Sequence, residues 1–469
     1  MRLLRLIAIP SAVAALTFAL AGAPAQALET GVVLNGPEGL SMQSVQEASG
    51  LGVGWVRVFA AWNIFEPTRG HLNEPEVDAL EAGIAALPKG TKVIVDVVNT
   101  PEWETGSSNT AMPPSKPGDY ARFAGALAKR LAGRVAAWEV WNEEDASLWW
   151  ASGPDAAAYT ALLQAAYPAI KAADPSATVV LGGLTGNDYE FLDELYADGA
   201  KGFFDAVAVH TDTICDVESP YEILRNSQTD PRINRWSFLG YRTVHEAMLA
   251  HGDDSPIWMT ELGWSTDTSE CNSGAWAGQK LAGVTAQQQA TFLLQAYHCL
   301  AQDSYVQVGI WYGLQDIEPF GSPRGSYGLL DPNLQPKPAY TALAEYDRDG
   351  DRLSEPCGAQ QGPTVKLVSP KTGARYSNTL PITVTASDSA RVYQISLYNE
   401  GHIIRSFYVH GGMPTLSGHM VWYGARLLRP GKHTLTAKAF DERNNTSTTS
   451  ITIIRTAKPK KHKGHRRKH

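Results

Sequence analysis

The sequence reads VAAWEVWN at residues 135–142, GPDAAAYTALLQAAYPAIKAADP at 153–175 and TVVLG at 178–182, one repeat of the pattern that organises most of the chain. The first and third pieces are short apolar runs, which are typical of buried strands. In the second piece apolar residues recur at spacings of three and four, which predicts a helix that begins after the GPD turn and ends before Asp174-Pro175. Because strand, helix and strand follow in this order, we expect two parallel strands joined by a helical crossover.

The same alternation of Val- and Ile-rich runs with helical segments extends from Gly31 to about Ala344 and contains eight strands. Eight such units over a span of this length predict a closed parallel (β/α)8 barrel, the TIM-barrel fold. The predicted strands are Gly31–Asn35, Trp55–Ala60, Lys92–Asn99, Val135–Asn142, Thr178–Gly182, Phe204–His210, Ile257–Glu261 and Val308–Leu314.

The composition changes after the barrel. Between Asp347 and Pro363 it turns to Asp, Arg, Gly, Pro and Gln, which indicates a linker. Short β-rich runs without helical segments then predict a small all-β sandwich. These runs are Val365–Val368, Ile382–Ala386, Val392–Tyr398, Ile403–Val409, His433–Phe440 and Thr448–Ile454.

The N-terminus has the features of a secretory signal. Two arginines precede an apolar run from Leu6 to about Ala21, and AQA at residues 25–27 is the small-residue pattern of a signal-peptidase site. We therefore expect export and a mature start near Leu28. No later apolar run is long enough to cross a bilayer, so we expect no membrane span.

The formal net charge of −8 is unevenly distributed along the chain. Seven Lys and Arg residues lie between Lys458 and Lys468, so the rest of the chain is strongly acidic, which argues against nucleic acid as a partner. Two interpretations of the basic end stay open: a solvated, disordered tail, or contact with anionic cell-wall polymers. The chain thus divides into a signal peptide (1–27), a barrel domain (28–346), a linker (347–363), an immunoglobulin-like sandwich (364–456) and a basic tail (457–469).

Four cysteines in an exported chain predict two disulfides, for which three pairings are possible. We prefer Cys215–Cys271, which would tie the loops after two neighbouring barrel strands, and Cys299–Cys357, which would tie the last helices to the linker. The sequence contains no C-x-x-C and no H-E-x-x-H motif. We therefore expect no metal and no other cofactor.

Two strand ends each carry a glutamate beside aromatic residues. Strand four ends in WEVWNEE at 138–144, and strand seven ends in IWMTELGW at 257–264. Since the strand tips of a barrel converge at its C-terminal face, we expect Glu143 and Glu261 to face each other. Glycosidic cleavage requires two such carboxylates, one to protonate the leaving oxygen and one to attack or stabilise the oxocarbenium-like centre. Either glutamate alone could equally be a surface salt bridge or a helix cap.

These motifs resemble those of glycoside hydrolase clan A, with families thirty-nine and five as the nearest patterns, over roughly Gly31 to Ala344. The resemblance implies that Glu143 is the acid/base and that Asn142 hydrogen-bonds the sugar 2-hydroxyl. It also implies that Glu261 is the nucleophile of a retaining double displacement on a β-linked substrate.

Two further residues match polar groups of the clan. Arg57 on strand two matches an arginine near the nucleophile, where a fixed positive charge would keep Glu261 ionised; the alternative is an ordinary salt bridge. His210 matches a histidine that ends strand six. The chain continues as TDTIC at 211–215, where relatives usually show Pro and then Tyr, so a structural histidine is nearly as good an interpretation.

Aromatic residues near strand tips are the remaining binding candidates. Trp311, at the end of strand eight, matches the aromatic platform under the reacting sugar, and core packing is the alternative for any tryptophan. Trp62, Trp103 and Trp264 follow strand tips and are candidates for lining the groove. Three other carboxylates, Asp96, Glu139 and Glu144, we interpret as structural.

The sandwich resembles the bacterial immunoglobulin-like repeats of secreted enzymes, in PKTG at 370–373 and AFDERNNT at 439–446. Two classes of function remain. The first is a retaining β-glycoside hydrolase, free outside the cell or held at its surface, with a carbohydrate substrate. The second is a catalytically inactive carbohydrate-binding or cell-surface adhesion protein that uses the barrel groove. A serine esterase is disfavoured because no G-x-S-x-G motif occurs.

Overall fold

A computed structural model of the chain contains one closed and one open β-sheet. The proposed signal peptide and the basic tail after Ala457 lie outside the described residues. Within the described part, no helix combines the length and the apolar character that a bilayer crossing needs. The structure describes residues 28–34, 40–211, 215, 217–272, 277–317, 322, 324–358 and 362–457.

The first sheet is a closed barrel of eight parallel strands in sequence order, as predicted. At the majority of strand ends, the observed bound differs from the predicted bound by a few residues. They are Glu29–Val33 (β1), Trp55–Ala61 (β2), Lys92–Val98 (β3), Ala137–Val140 (β4), Thr178–Thr185 (β5), Ala206–Thr211 (β6), Ile257–Leu262 (β7) and Val306–Trp311 (β8).

Helices follow the strands and cover the outside of the barrel. In the sixth helix the Asp155 side chain accepts a hydrogen bond from the backbone N–H of Ala158, which fixes the start that the GPD turn predicts. The helices are Met42–Leu51 (α1), Trp62–Phe65 (α2), Glu74–Ala86 (α3), Glu102–Thr105 (α4), Pro117–Arg130 (α5), Ala156–Ala173 (α6), Tyr189–Ala197 (α7), Tyr241–Ala250 (α8), Ala286–Gln302 (α9) and Pro338–Asp349 (α10).

The barrel interior has an apolar layer and, nearer the C-terminal ends of the strands, a polar layer. Side chains alternate along a strand, so a residue two positions after an interior residue also points inward. Five strands use this rule to place a buried polar group directly above an apolar one. The pairs are Trp55 and Arg57, Ile94 and Asp96, Ala137 and Glu139, Ala208 and His210, and Trp258 and Thr260.

The second sheet is mostly antiparallel, with β10 and β14 as a parallel pair. Two predicted runs, Ile382–Ala386 and Val392–Tyr398, belong to one long strand whose pairing is irregular between Ser387 and Val392. Its first half pairs with β9 and its second half with β13, and buried residues of both halves share one apolar core. The strands are Thr364–Ser369 (β9), Ala374–Tyr376 (β10), Leu380–Asn399 (β11), His402–Trp422 (β12), Gly431–Asp441 (β13) and Thr446–Arg455 (β14).

Two disulfides join elements that are distant in the chain. Cys215, after β6, is bonded to Cys271, after β7. Cys299 on α9 is bonded to Cys357 in the segment that leads to the second sheet. These are the pairs that the sequence favoured.

Replacing both Cys299 and Cys357 by alanine should lower the free energy of unfolding by about 2–4 kcal/mol, because a cross-link restricts the unfolded chain. The bond spans 58 residues, so the restricted loop is long. Urea unfolding followed by tryptophan fluorescence in oxidising buffer measures the difference. Reductant opens the disulfides of both proteins, so their midpoints should then coincide. Equal midpoints without reductant would contradict the prediction.

Candidate active site

The tip of β4 turns sharply at the mouth of the barrel. The backbones of Trp141 (φ 72°) and Glu143 (φ 47°) lie in the left-handed region, which residues other than glycine rarely adopt. The Trp141 ring is buried outside the barrel, and its indole N–H donates to the Trp149 carbonyl. This turn brings Asn142 and Glu143 to the interior side. Such strain persists only where the surroundings enforce it, and it is common at functional sites.

Arg57 is the centre of the polar layer and is fully buried. Its Nε donates to Glu139 at 2.6 Å, and its Nη1 donates to Glu261 at 2.6 Å. Its Nη2 donates to Asp96 at 2.8 Å and to the side-chain oxygen of Asn142 at 2.9 Å. One guanidinium therefore positions groups from β3, β4 and β7.

Burial and neighbouring charges shift the pKa of Arg57 and that of Asp96. Burial alone would lower the pKa of Arg57, but Glu139, Asp96 and Glu261 raise it above its ordinary value, so the guanidinium stays charged. Burial raises the pKa of Asp96 well above its usual range, and Arg57 only partly opposes this. The cation beside Glu261 is thus permanent, which favours the ionised form of that carboxylate.

Thr260 and Glu261 are consecutive, yet both contact the interior cluster. The pairing of β7 with β8 is irregular between Met259 and Leu262, which breaks the alternation at this tip. The Thr260 hydroxyl donates to Glu139 at 2.9 Å. It must therefore accept, rather than donate, in its 3.1 Å contact with Nε2 of His210.

His210 connects the two predicted catalytic glutamates. Its Nδ1 lies 3.0 Å from Oε1 of Glu143 and 3.8 Å from Oε2 of Glu261. Because the contact with Thr260 fixes a proton on Nε2, Nδ1 of the neutral ring can only accept a hydrogen bond, from a protonated Glu143, whereas Nδ1–H of the charged ring donates a hydrogen bond to the Glu143 carboxylate. Burial lowers the pKa of His210, but Glu261 and Glu143 outweigh it, so this pKa is raised.

The three side chains form a compact group at the mouth. One donor atom from each of Glu143, His210 and Glu261 lies within 4.8 Å of the other two. The Glu143 side chain is 15% exposed, against 6% for Glu261 and 1% for His210, so Glu143 is the more accessible to solvent. Among the described residues this is the group whose donors could hold a metal ion. The adjacent Arg57 cation disfavours a second positive charge there.

The predicted tryptophans do not join this group, and the structure corrects the orientation expected for Trp311. Trp62, Trp264 and Trp311 are fully buried between the barrel and the helices, and Trp103 packs edge-on against Trp62 at 5.5 Å. Since alternation turns Trp311 outward, its neighbour Tyr312 points inward and packs on the interior apolar layer. Tyr312, rather than Trp311, is therefore the aromatic residue of this strand tip that faces the interior.

Two aromatic residues near the mouth were not predicted. Phe59 stacks on Trp149, with ring centroids 6.2 Å apart and planes within 4° of parallel, and the Arg57 guanidinium lies 4.8 Å from the Phe59 ring centre. Phe59 lies two positions after Arg57, so the alternation along β2 contained the signal for it. Trp149 lies in an irregular segment after β4, where periodicity gives no such signal.

The carboxylates that were interpreted as structural have different surroundings. Asp96 and Glu139 bind Arg57 within the polar layer. Glu144 is buried outside it, and neither of its carboxylate oxygens has a hydrogen-bond partner. Burial raises the pKa of Glu144 well above its usual range, which favours the neutral acid.

Comparisons with known proteins agree with this architecture. The model of the cellulase family, glycosyl hydrolase family 5, matches residues 22–277, and that of the bacterial Ig domain matches residues 363–437. No curated protein matches the chain.

Several solved structures share the fold. A family 39 glycoside hydrolase from the gut symbiont Bacteroides cellulosilyticus WH2 has a TM-score of 0.54 and 18% identity, covering 85% of this chain and 81% of that one. A family 5, subfamily 18 protein from Streptomyces cattleya in complex with Manβ1-4GlcNAc has a TM-score of 0.51 and 20% identity, covering 74% and 84%. A family 39 β-xylosidase from Caulobacter crescentus has a TM-score of 0.50 and 19% identity, covering 79% and 82%.

Replacing Gly183 by alanine should displace His210, because an added Cβ would lie 1.9 Å from its Nε2. Once the ring leaves Glu143 and Glu261, its raised pKa should fall towards the ordinary value. An NMR titration of the histidine ring protons, assigned with a His210→Gln variant, measures this. Gly118→Ala is the matched control, since its added Cβ meets nothing within 4 Å. An unchanged His210 titration in Gly183→Ala would refute the prediction.

Proposed function

The chain belongs to the cellulase family, glycosyl hydrolase family 5, and from this we propose that it is a retaining hydrolase of a β-linked oligo- or polysaccharide. The observation that carries the proposal is the pair of carboxylates, Glu143 and Glu261, bridged by His210 at the mouth of the barrel. The presence of both carboxylates favours turnover over the alternative, a catalytically inactive carbohydrate-binding or adhesion protein. The proposed substrate is therefore a glycan that enters this mouth.

The spacing of the carboxylates supports retention of anomeric configuration. Retaining enzymes hold their two carboxyl groups about 5–5.5 Å apart, whereas inverting enzymes leave about 6.5–9.5 Å for a water molecule. One oxygen of Glu143 lies within 4.8 Å of one oxygen of Glu261, which fits the shorter of these two separations. We therefore assign Glu261 as the nucleophile that attacks the anomeric carbon, while Glu143 protonates the leaving oxygen.

His210 supports both roles of Glu143. When Glu143 is protonated, it donates a hydrogen bond to Nδ1 of the neutral His210 ring, which holds the acidic proton at the mouth of the barrel. When Glu261 becomes an ester, it loses its negative charge. It then no longer raises the pKa of His210, and Glu143 is the carboxylate that still does. Glu143, now ionised, then takes a proton from the water that attacks the glycosyl-enzyme, and Glu261 is released.

The neighbouring polar and aromatic groups would orient the sugar. The side-chain oxygen of Asn142 accepts from Arg57, which turns its amide N–H2 away from the guanidinium and makes it a donor for a sugar hydroxyl. Tyr312 takes the place proposed for Trp311 as the aromatic contact, because it faces the interior. Arg57 acts through Glu261, whose oxygen it holds.

Glu261→Gln and Glu143→Gln should each lower kcat/KM on nitrophenyl β-glycosides, by about 10²- to 10⁴-fold for the acid/base. The loss for Glu143→Gln should shrink with a dinitrophenyl leaving group, which departs without protonation. Glu246→Gln is the control, because it makes the same substitution at an exposed residue of α8. Full activity of Glu261→Gln would contradict the assignment. NMR of the first product anomer tests retention separately, and an inverted product would exclude double displacement.

We also propose that the C-terminal region contacts anionic cell-surface polymers. The tail carries seven Lys and Arg residues, and residues 364–456 contain eleven Lys and Arg against four Asp and Glu. Residues 28–363 instead contain 44 Asp and Glu against 20 Lys and Arg. Only the C-terminal region therefore has the charge to attract an anionic polymer. The two disulfides and the Ig-like domain fit an extracellular location.

A chain ending at Ala457 should be retained less on isolated Gram-positive cell walls than the full chain, because seven cations are removed. Retention of the full chain should fall as NaCl rises, since salt screens exposed charges. Walls stripped of their anionic polymers are the control and should bind both proteins equally. If the shortened chain is retained as well as the full chain on intact walls, the tail has no part in attachment.

A further inference from the structure

Residues 212–240 connect β6 with α8, and the described part of this connection from residue 217 onward contacts both the second sheet and the mouth of the barrel. Connections longer than about 15 residues are uncommon in compact domains, and functional loops are one of the classes in which they occur. From residue 217 onward this connection, here called the β6 loop, forms a small hairpin-like unit. Arg225 and Ile233 form an antiparallel bridge, and the N–H of Asn234 donates to Leu224 at 2.9 Å.

The outer limb of the β6 loop is bound by the turn between β13 and β14. The N–H of Arg225 donates to the Arg443 carbonyl at 2.9 Å, and the Asn445 side chain donates to the Ile223 carbonyl at 2.9 Å. The Asn444 side chain donates to the Arg225 carbonyl at 3.1 Å. These contacts use the backbone of the loop, so they fix its path rather than one side chain.

The turn makes one further polar contact with the loop, and it is also stabilised by a hydrogen bond of its own. Arg443 forms an ion pair with Glu222 of the loop. Asn445 is buried, and its own backbone N–H donates to Asp441 at 2.8 Å. The turn is thus held by its own strand while it binds the loop. Ordering a flexible residue costs about 1–2 kcal/mol, so a pre-formed partner of this kind stabilises one conformation of the loop.

The inner limb of the β6 loop reaches the tips of β4 and β5. Arg235 forms ion pairs with Asp188 and, at 3.5 Å, with Asp145, which lies two residues after Glu143. Its guanidinium lies 4.7 Å from the ring centre of Trp236. The position of Trp236 is therefore set relative to the strand that carries Glu143.

Trp236 exposes a large aromatic surface at this place. Its ring packs against Gly186, just after β5, where an added Cβ would lie 2.4 Å from a ring carbon. Even so, 48% of the residue is exposed. A tryptophan that is held in place by neighbours and still exposes about half of its surface suits contact with the apolar face of a sugar ring.

We propose that Trp236 contacts the substrate chain beyond the reacting sugar and that the second sheet positions it by bracing the β6 loop. This rests on the proposed hydrolase function. The sandwich is thereby part of the substrate-binding structure. Trp236 is the specificity-determining contact, and Asn445 and Arg443 are positioning residues that act through the loop.

The test compares a long with a short substrate. The long one is whichever β-linked glycan the wild type cleaves best in a panel of glucans, mannans and xylans, and the short one is the matching nitrophenyl β-glycoside. Trp236→Ala and Asn445→Ala should each raise KM for the glycan about 3- to 10-fold, as loss of one aromatic contact predicts. The kcat on the nitrophenyl glycoside should change less than twofold. The double variant should be no worse than Trp236→Ala, because both changes remove one interaction.

Arg443→Ala provides a second test of the brace, since it leaves the Asn445–Asp441 contact intact, and thermal unfolding confirms that each variant is folded. Arg405→Ala, exposed on β12, is the control and should change neither KM. Unchanged glycan KM in folded Trp236→Ala or in both folded turn variants overturns the proposal, and so does an additive double variant. If the wild type cleaves neither substrate, the hydrolase proposal itself has failed.

Discussion

A single buried guanidinium is the condition on which the site depends. Moving an ion from water into a protein interior costs several kcal/mol unless it is paired and hydrogen-bonded. Arg57 donates hydrogen bonds to three carboxylates and one amide oxygen from a position with no solvent exposure. Without it, like charges on β3, β4 and β7 would face one another in the interior. The arrangement of the strand tips, and hence of Glu143 and Glu261, is therefore an electrostatic consequence of one side chain on β2.

The apolar layer below the guanidinium is equally part of the site. It fills the barrel with side chains such as Trp55 and Trp258, whose rings are 5.1 Å apart, and so excludes water from beneath the polar layer. Hydrogen bonds in such surroundings are stronger than in water, and unpaired groups are more costly. The hydrogen bonds that join Glu139, Thr260 and His210 are thus constrained in direction as well as in distance, which leaves Nδ1 of His210 facing Glu143.

The sequence predicted the parts of this structure that depend on periodicity. Eight strands, their order and the meeting of Glu143 with Glu261 follow from where each run ends, and the resemblance to family five is confirmed. Periodicity did not predict the orientation of Trp311, because at the end of a strand a shift of one position exchanges the interior for the exterior. The contact of Asn445 with Ile223 joins residues 222 positions apart, and no local pattern encodes it.

The uneven charge of the chain has a consequence for what the molecule can approach. An acidic barrel joined to a basic C-terminal region carries a permanent electric dipole, and a negatively charged surface exerts a torque on it. The molecule would therefore approach such a surface with its cationic end leading.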